Sequence, residues 1–178
     1  IEGLRRVDTV FLDKTGTLTE GRATVSRWAG APEAGTLAFL LETGSDHGVA
    51  RALRRSMPRP AGLVPEIRDV REAPGRGIVG RVGDLEVRVG SRAFMDAGDV
   101  AVSPELAHHG DALLADGLSP LYVAAAGRVI GVAGVGDPLR ADARSTVRAL
   151  RRRGIALRIL SGDHPAVVAR IAEALGIA

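Results

Sequence analysis

The residues best suited to chemistry lie in one short segment, DKTGTLT at residues 13–19, directly after the apolar run VFL at residues 10–12. This order predicts a buried strand that presents the carboxylate of Asp13 at its C-terminal end, followed by a tight polar loop. A carboxylate in that position can attack a phosphorus atom and become an aspartyl phosphate. Loop amides, hydroxyl groups and a magnesium ion would hold the phosphate oxygens.

The two residues that follow Asp13 indicate what would happen to such an aspartyl phosphate. Thr15 stands two positions later, and a threonine cannot do the acid–base work that an aspartate would do there. We therefore expect an acyl phosphate that forms readily and hydrolyses slowly. Lys14 is the only lysine of the chain, and its compact ammonium group fits a contact with phosphate oxygens. The alternatives are a strand and turn without chemistry, and a lysine that is there by chance.

Two further segments carry polar groups at the ends of predicted strands. SGD at residues 161–163 follows an apolar run and precedes a predicted helix, so a hydroxyl group, a flexible glycine and helix amides form a phosphate cradle there. An ordinary turn at a helix start is the alternative. DPLR at residues 137–140 lies where the middle of the chain returns to the predicted parallel sheet, and a plain helix that starts at Pro138 is compatible with it.

The middle of the chain contains two further segments with glycines and polar side chains. GRGIVG at residues 75–80 precedes a strand, which argues against a Rossmann site, but its glycines would let a nucleotide approach the backbone closely. ETGSDHG at residues 42–48 combines a carboxylate, a hydroxyl group and the imidazole of His47. Taken alone, a histidine such as His47 is more often an unremarkable residue at the start of a helix.

Composition excludes several classes of protein. The chain has 178 residues and a net charge of +3, with 46% hydrophobic and 3% aromatic residues. Few aromatic residues and no dense basic tract argue against nucleic-acid binding. The absence of cysteine excludes disulfides and cysteine metal sites. No apolar run reaches the roughly 18–20 residues of a membrane span, and no signal peptide is present. We expect a soluble piece of a longer protein, cut at both ends, with residues 1–6 ending an incoming helix.

Periodicity predicts an α/β protein of two domains. An incomplete doubly wound parallel sheet is expected from residues 1–21 and 133–178, and an inserted α+β domain on an antiparallel sheet from residues 22–132. Strands are predicted at residues 7–12, 67–72, 77–82, 85–89, 121–126, 129–135 and 155–160. Helices are predicted at residues 32–43, from a cap at Ser45 or Asp46 to 55, and at 91–97, 104–116, 139–153 and 165–175.

Taken together and in this order, these segments resemble P-type ATPases of the heavy-metal (copper or zinc) branch. DKTGTLT resembles the phosphorylation motif of that family, and SGD its TGD motif with Ser161 for Thr. DPLR resembles its hinge, which implies a rigid turn and a charged contact to nucleotide or to a neighbouring domain. ETGSDHG resembles the E-x-x-S-E-H-P-L segment, with Asp46 for Glu and Gly48 for Pro. The family's G-D-G-x-N-D-x-P segment would lie beyond Ala178.

The resemblance implies a fold of haloacid-dehalogenase type, and ATP and Mg²⁺ as cofactors. It implies that ATP binds near Glu42, Ser45, His47, Gly75, Gly77, Gly90, Asp137 and Arg140. Around the phosphate it implies Asp13, Lys14, Thr15, Thr17, Ser161, Gly162 and Asp163, with magnesium held by Asp13 and the backbone carbonyl of Thr15.

The resemblance also implies partners and a location. These are transmembrane and actuator domains of the same pump, a heavy-metal cation bound elsewhere, and a place on the cytoplasmic face of a membrane. Two alternatives remain at this point: a soluble phosphatase of haloacid-dehalogenase type, and a nucleotide-binding module without turnover.

Overall fold

The computed structural model describes residues 7–60, 62 and 64–177, and the chain divides into two compact units. The antiparallel-sheet unit comprises Ala23–Leu114 and Leu118–Gly136. The parallel-sheet unit comprises the described parts of Ile1–Arg22 and Asp137–Ala178, with Ala115–Gly117. The helix end predicted at residues 1–6 lies outside the described residues. The division into functional domains at residues 21/22 and 132/133 stays a prediction.

The antiparallel-sheet unit is built on six strands in the order β2-β7-β6-β5-β4-β3. Its strands are β2 (Thr24–Gly30), β3 (Ile67–Ala73), β4 (Gly77–Val82), β5 (Leu85–Gly90), β6 (Ser119–Ala125) and β7 (Arg128–Gly136). Its helices are α1 (Ala34–Leu41), α2 (Gly48–Ser56), α3 (Arg92–Asp96) and α4 (Pro104–Ala115), with a 3₁₀ turn at Glu42–Gly44.

Both faces of this sheet are covered by helices. On one face, α1 and α2 pack through Leu41 and Leu53 onto Val123 and its neighbours. On the other face, α3 and α4 pack onto Tyr122 and Ala124, which alternate with Val123 along β6. Burial on both faces explains why the central strands β6 and β7 are apolar nearly throughout.

The parallel-sheet unit contains β1 (Thr9–Asp13), α5 (Ala143–Arg152), β8 (Ala156–Leu160) and α6 (Pro165–Leu175). Strands β1 and β8 pair in parallel, and Asp13 lies opposite Leu160 at their ends. The helices contribute Val147 and Leu175 to a core that Leu157 and Val10 complete. The predicted α/β class, with separate parallel and antiparallel sheets, is therefore confirmed.

The prediction that β1 and β8 are buried is wrong for one of their faces. Phe11 is 65% exposed and Leu160 64% exposed, because in the part of the chain that the structure describes α5 and α6 cover only the other face of the two-stranded sheet. Along β1 and β8, side chains that pack on the helices therefore alternate with side chains that are exposed.

Two predicted helix starts are wrong. The helix after DPLR begins at Ala143 and not at Leu139, because Leu139 pairs with Thr19 in a β-bridge and the Arg140 amide donates to Leu18 O at 3.0 Å. Pro138 therefore does not start a helix.

Helix α2 is capped by His47 rather than by Ser45 or Asp46. The chain is still in its preceding turn at Ser45, whose amide donates to Glu42 O at 3.1 Å. The sequence did not predict strand β2, because a bulge between Ser26 and Ala29 interrupts the alternation of buried and exposed residues. Within the described residues, none of the helices combines the length and apolarity that a membrane span needs.

Candidate functional site

The two segments predicted to bind phosphate, DKTGTLT and SGD, follow neighbouring strands of the parallel-sheet unit. Asp13 is the last residue of β1 and is exposed, and the segment 161–163 leaves the adjacent strand β8 directly after Leu160. Because parallel strands end at the same edge of a sheet, both motifs lie at one edge. Lys14–Leu18 forms a wide turn in which Lys14 and Leu18 are buried.

Lys14 and Asp163 form an ion pair that joins the two motifs. Nζ of Lys14 lies 2.6 Å from Oδ2 of Asp163, with 11% and 29% of the two side chains exposed. Partial burial makes this pair stronger than a surface salt bridge. The ammonium group is therefore held against the SGD segment, at the strand edge where Asp13 ends β1.

The SGD segment forms a compact turn ahead of α6. Ser161 Oγ accepts a hydrogen bond from the Asp163 amide at 3.1 Å. His164 caps the helix, since its Nδ1 accepts from the Ala166 amide at 3.2 Å. Pro165 occupies the first turn, where its missing N–H costs nothing.

Asp137 binds the backbone of the segment that leaves the motif loop. Its Oδ2 accepts from Thr19 Oγ1 at 2.6 Å and from the Gly21 amide at 3.1 Å, and its Oδ1 accepts from the Arg22 amide at 2.9 Å. Arg140 instead points to Asp142, with Nε 3.2 Å from Oδ1 and both side chains largely exposed. A nucleotide contact by either residue stays a prediction.

The donor set around Asp13 suits magnesium. Mg²⁺ uses one or two carboxylates and keeps waters or phosphate oxygens as its other ligands. The carboxylate of Asp13 and the backbone of Thr15 are both on exposed residues and meet that need. Among the described residues, no three His, Cys, Asp or Glu side chains gather at one point, so phosphate and water oxygens would complete the shell.

Glu42 and His47 form the centre of the second group of predicted site residues, in the antiparallel-sheet unit. Glu42 is 2% exposed, and its Oε2 lies 3.0 Å from Nε2 of His47. Burial, together with the nearby charge of Glu72, raises the pKa of Glu42 from 4.5 to about 7, against the opposing effect of Arg54. This carboxyl group can therefore hold a proton near neutral pH.

The loop between α1 and α2 is held in place by arginine. Arg54 Nη1 donates to the Ser45 carbonyl at 3.0 Å, and Arg51 Nη1 donates to the Asp46 carbonyl. Ser45 is buried, and its Oγ lies 3.4 Å from the His47 amide. A pocket of about 130 Å³ next to this loop is lined by Phe39, Glu42, Thr43, Ala50, Leu53, Arg54 and Arg59.

The predicted glycines of the nucleotide site fall into two kinds. Gly77 and Gly90 lie opposite each other on β4 and β5, and a side chain on either would collide with the Phe94 ring and with the facing backbone. Gly75 lies in the turn before β4 at φ 70°, with open space around it. Close strand packing thus explains Gly77 and Gly90, whereas backbone conformation explains Gly75.

Sequence reasoning gave no role to two residues that the structure makes central to these sites. Thr19 is fully buried at the end of the motif loop, and Phe94 packs on Gly77 and Gly90 with Arg88 stacked 4.7 Å from its ring centre. Thr19 belongs to DKTGTLT, so its place in that segment was a usable signal. No sequence pattern indicated a role for Phe94, because the turn from β5 into α3 is what places its ring against the two glycines.

Residues 7–178 match the haloacid dehalogenase-like hydrolase family. The chain is 36% identical to the copper-exporting P-type ATPase of Mycobacterium tuberculosis, over 99% of this chain and 23% of that protein. It is 30% identical to the silver exporting P-type ATPase of Salmonella typhimurium, over 99% of this chain and 22% of that protein.

The crystal structure of a zinc-transporting PIB-type ATPase in the E2.Pi state is similar with a TM-score of 0.66 and 30% identity. That match covers 99% of this chain and 29% of the zinc-transporting chain. The chain thus spans less than a quarter of the length of the two curated relatives. The predicted resemblance to heavy-metal P-type ATPases is confirmed, and the chain belongs to the haloacid dehalogenase-like hydrolase family.

Proposed function

We propose that this chain is the ATP-binding and aspartyl-phosphorylation region of an ion-translocating P-type ATPase that exports a heavy-metal cation such as Cu(I) or Zn(II). The observation that carries the proposal is the 2.6 Å ion pair between Lys14 and Asp163. It ties the DKTGTLT segment to the SGD segment at the strand edge where Asp13 is exposed. A nucleophile and a fixed ammonium group at one edge are what phosphoryl transfer to a carboxylate requires.

In the proposed reaction a carboxylate oxygen of Asp13 attacks the γ-phosphorus of ATP. A bond between that oxygen and phosphorus forms, the bond from phosphorus to the bridging oxygen breaks, and ADP leaves. Lys14 offsets the negative charge that accumulates on the phosphoryl oxygens, and Asp163 keeps its ammonium group in place. The hydroxyl groups of Thr17 and Ser161 and the backbone around Gly162 would bind the same oxygens.

Thr15 explains why the phosphoryl group would stay on the enzyme. Hydrolysis of an acyl phosphate needs a base that activates water, and a threonine hydroxyl group cannot serve as one. Magnesium bound by Asp13 and the Thr15 carbonyl would neutralise phosphate charge. The acyl phosphate would therefore last long enough to act as the intermediate of a transport cycle.

The antiparallel-sheet unit would bind the nucleotide. Glu42 and His47 offer a carboxyl group and an imidazole ring 3.0 Å apart, beside an apolar pocket. Adenine presents both a hydrogen-bond donor and acceptors on its edge, which suits such a pair. Gly75 would allow close approach of the nucleotide to the backbone, next to Gly77 and Gly90. Asp137 and Arg140 are proposed to contact the nucleotide from the hinge.

The rest of the proposed pump lies in other parts of the protein. Transmembrane domains would carry the metal cation, an actuator domain would act on the phosphoenzyme, and this region would lie on the cytoplasmic face of the membrane. The relatives named above export copper or silver or transport zinc. Since this region is similar in all three, the choice of ion is proposed to lie elsewhere.

Phosphoenzyme formation tests the proposal directly. The full-length protein is incubated with γ-labelled ATP and Mg²⁺, and acid-stable label on the protein is measured. Asp13→Asn should abolish the label, whereas Asp111→Asn, which removes an exposed carboxylate from α4, should keep it. Normal labelling of the Asp13→Asn protein would refute the assignment.

Calorimetric titration of ATP tests the nucleotide site. We expect saturable binding to this chain that weakens in His47→Ala, with His109→Ala on the exposed side of α4 as the matched control. Equal affinity in all three proteins would place the adenine contact away from His47.

The soluble phosphatase alternative is not favoured, because the curated relatives over the whole chain are P-type ATPases. Steady release of phosphate from small phosphoesters by the full-length protein, at rates that exceed its ATP turnover, would revive it.

A further inference from the structure

A chain of hydrogen bonds links the DKTGTLT loop to Asp137. The Gly16 amide donates to Thr19 Oγ1 at 3.2 Å, and Thr19 Oγ1 lies 2.6 Å from Asp137 Oδ2. Thr19 has a relative exposure of 0%. The phosphoryl transfer proposed above gives this buried hydroxyl group no task.

The single hydrogen of the Thr19 hydroxyl group can be assigned. Lys14 O also lies 3.1 Å from Oγ1, but it already accepts a hydrogen bond from the Thr19 amide at 3.1 Å. A hydroxyl group has one proton, and the 2.6 Å contact to a carboxylate is the stronger, charge-assisted bond. Thr19 therefore donates to Asp137, and its oxygen lone pair accepts from Gly16.

This acceptor selects one orientation of the Thr15–Gly16 peptide group. Thr15 has φ −78° and ψ 119°, and Gly16 has φ 77° and ψ −6°, which are the central angles of a type II turn. A type I turn would reverse this peptide group and place its carbonyl where the N–H now points. Because N–H and C=O point in opposite directions across a trans peptide group, binding the Gly16 N–H inward turns the Thr15 carbonyl outward.

We infer that Thr19, held by Asp137, is a positioning residue that keeps the Thr15 carbonyl turned toward a divalent cation bound at Asp13. The inference rests on the proposed function, in which that carbonyl is a magnesium ligand. Without the hydroxyl group the peptide group loses its inward partner and samples the reversed orientation. Outer-shell partners of this kind typically change metal affinity by about 10- to 100-fold when they are removed.

A purely structural role of Thr19 makes a different prediction. Asp137 also binds the Gly21 and Arg22 amides, and the Glu20 amide donates to Pro138 O at 2.9 Å. None of these bonds uses the Thr19 hydroxyl group. They hold the two connecting segments together in a Thr19→Val variant, which keeps the shape of the side chain. A structural role alone would thus lower stability without changing the response to magnesium.

The test uses Thr19→Val, Thr19→Ser and the control Thr146→Val, which removes an exposed hydroxyl group from α5. In the full-length protein, phosphoenzyme is measured against Mg²⁺ concentration at saturating ATP, and the KM for ATP is measured separately. In this 178-residue chain, hydrogen exchange of the Gly16 amide is followed by NMR. Should Thr19→Val fail to fold, Thr19→Ala carries the same readouts without placing a methyl group against Asp137.

We expect Thr19→Val to raise the Mg²⁺ concentration for half-maximal phosphorylation about tenfold, with the KM for ATP unchanged. Gly16 exchange should accelerate in the same variant, and Thr19→Ser should restore both properties. Faster Gly16 exchange with an unchanged Mg²⁺ dependence would overturn the inference while the proposed function stands. A wild-type protein that forms no phosphoenzyme would overturn the proposed function, and the inference with it.

Discussion

Oε2 of Glu42 lies 3.0 Å from Nε2 of His47 inside the antiparallel-sheet unit, and the glutamate is almost fully buried. The segment from Glu42 to His47 begins with the 3₁₀ turn at Glu42–Gly44 and ends at the cap of α2. The geometry of the proposed adenine site is thus set by how one helix ends and the next begins. Protonation of Glu42 is therefore coupled to the stability of the unit, because burial raises the pKa of its carboxyl group.

Glu42→Gln should change how stability depends on pH. The pKa of Glu42 is raised from 4.5 to about 7 in the folded protein, mainly by burial, so folding favours the protonated carboxyl group. The protonated Glu42 carboxyl group contributes its full stabilisation below pH 4.5, and this contribution is lost as the pH rises through 7. A shift of this size corresponds to about 3 kcal/mol in the free energy of unfolding. Glutamine does not titrate and resembles the protonated form, so the variant should lose less stability over this range.

Denaturant unfolding at several pH values between 4.5 and 8 measures this difference. Glu173→Gln is the matched control, because Glu173 is 70% exposed and pairs with Arg170 on the surface of α6. Parallel pH profiles for wild type and Glu42→Gln would mean that the carboxyl group ionises without a penalty.

Gly48→Pro should stabilise the protein and tighten ATP binding. Gly48 is the first residue of α2, where an amide has no partner in the helix, and space is open around it. His47 is already extended at φ −76° and ψ 176°, as a residue before proline must be. Lower entropy of the unfolded chain should add about 0.5–1 kcal/mol to the free energy of unfolding.

The ATP dissociation constant of the same variant should fall about two- to fivefold if the stiffer turn fixes His47. Gly48→Ala separates the two effects, since alanine favours the helix without restraining the preceding residue. A gain in stability with unchanged ATP affinity in Gly48→Pro would remove the link between this turn and the nucleotide.

Sequence patterns predicted most of the elements because burial is regular in the antiparallel-sheet unit. Strands β4 and β5 begin where alternation and the turn at Gly83 indicate, since one register satisfies both faces of the sheet. Helix α5 was predicted to start too early because Leu139 and Arg140 bond to the segment after the motif loop. A contact between residues more than a hundred positions apart overrides local helix preference, and no local pattern reports it.

The candidate sites were predictable as groups but not as contacts. Asp13 and Asp163 are in segments whose chemistry and strand context indicate a shared edge. Their connection through Lys14, by contrast, depends on the register of β1 with β8. Arg54 could not be foreseen as a partner of the Ser45 carbonyl, because the direction of its side chain depends on how α2 packs.

Gly77→Ala should destabilise the protein far more than Gly75→Ala. An added methyl group on Gly77 meets the Val89 carbonyl and the Phe94 ring, and backbone cannot yield as a flexible side chain can. We expect a loss of about 3 kcal/mol at Gly77. At Gly75 only the left-handed φ of 70° opposes alanine, for about 1 kcal/mol. Urea unfolding of the two variants gives both values, and equal losses would mean that β4 and β5 can move apart.

Lys14 should react slowly with amine reagents, and Asp163 should be the reason. Only 11% of the Lys14 side chain is exposed and its ammonium group is paired at 2.6 Å, so a reagent has little access to it. Since Lys14 is the only lysine, reductive methylation can be quantified on a single peptide by mass spectrometry. Asp163→Asn removes the ion pair, which is worth about 1 kcal/mol or more in holding the ammonium group in place. The methylation of Lys14 should therefore be at least about fivefold faster in this variant. Asp142→Asn, which removes an exposed carboxylate from Arg140, should leave the rate unchanged. Equal rates in wild type and Asp163→Asn would show that the ion pair does not persist in solution, and Lys14 would then be free to meet phosphate without it.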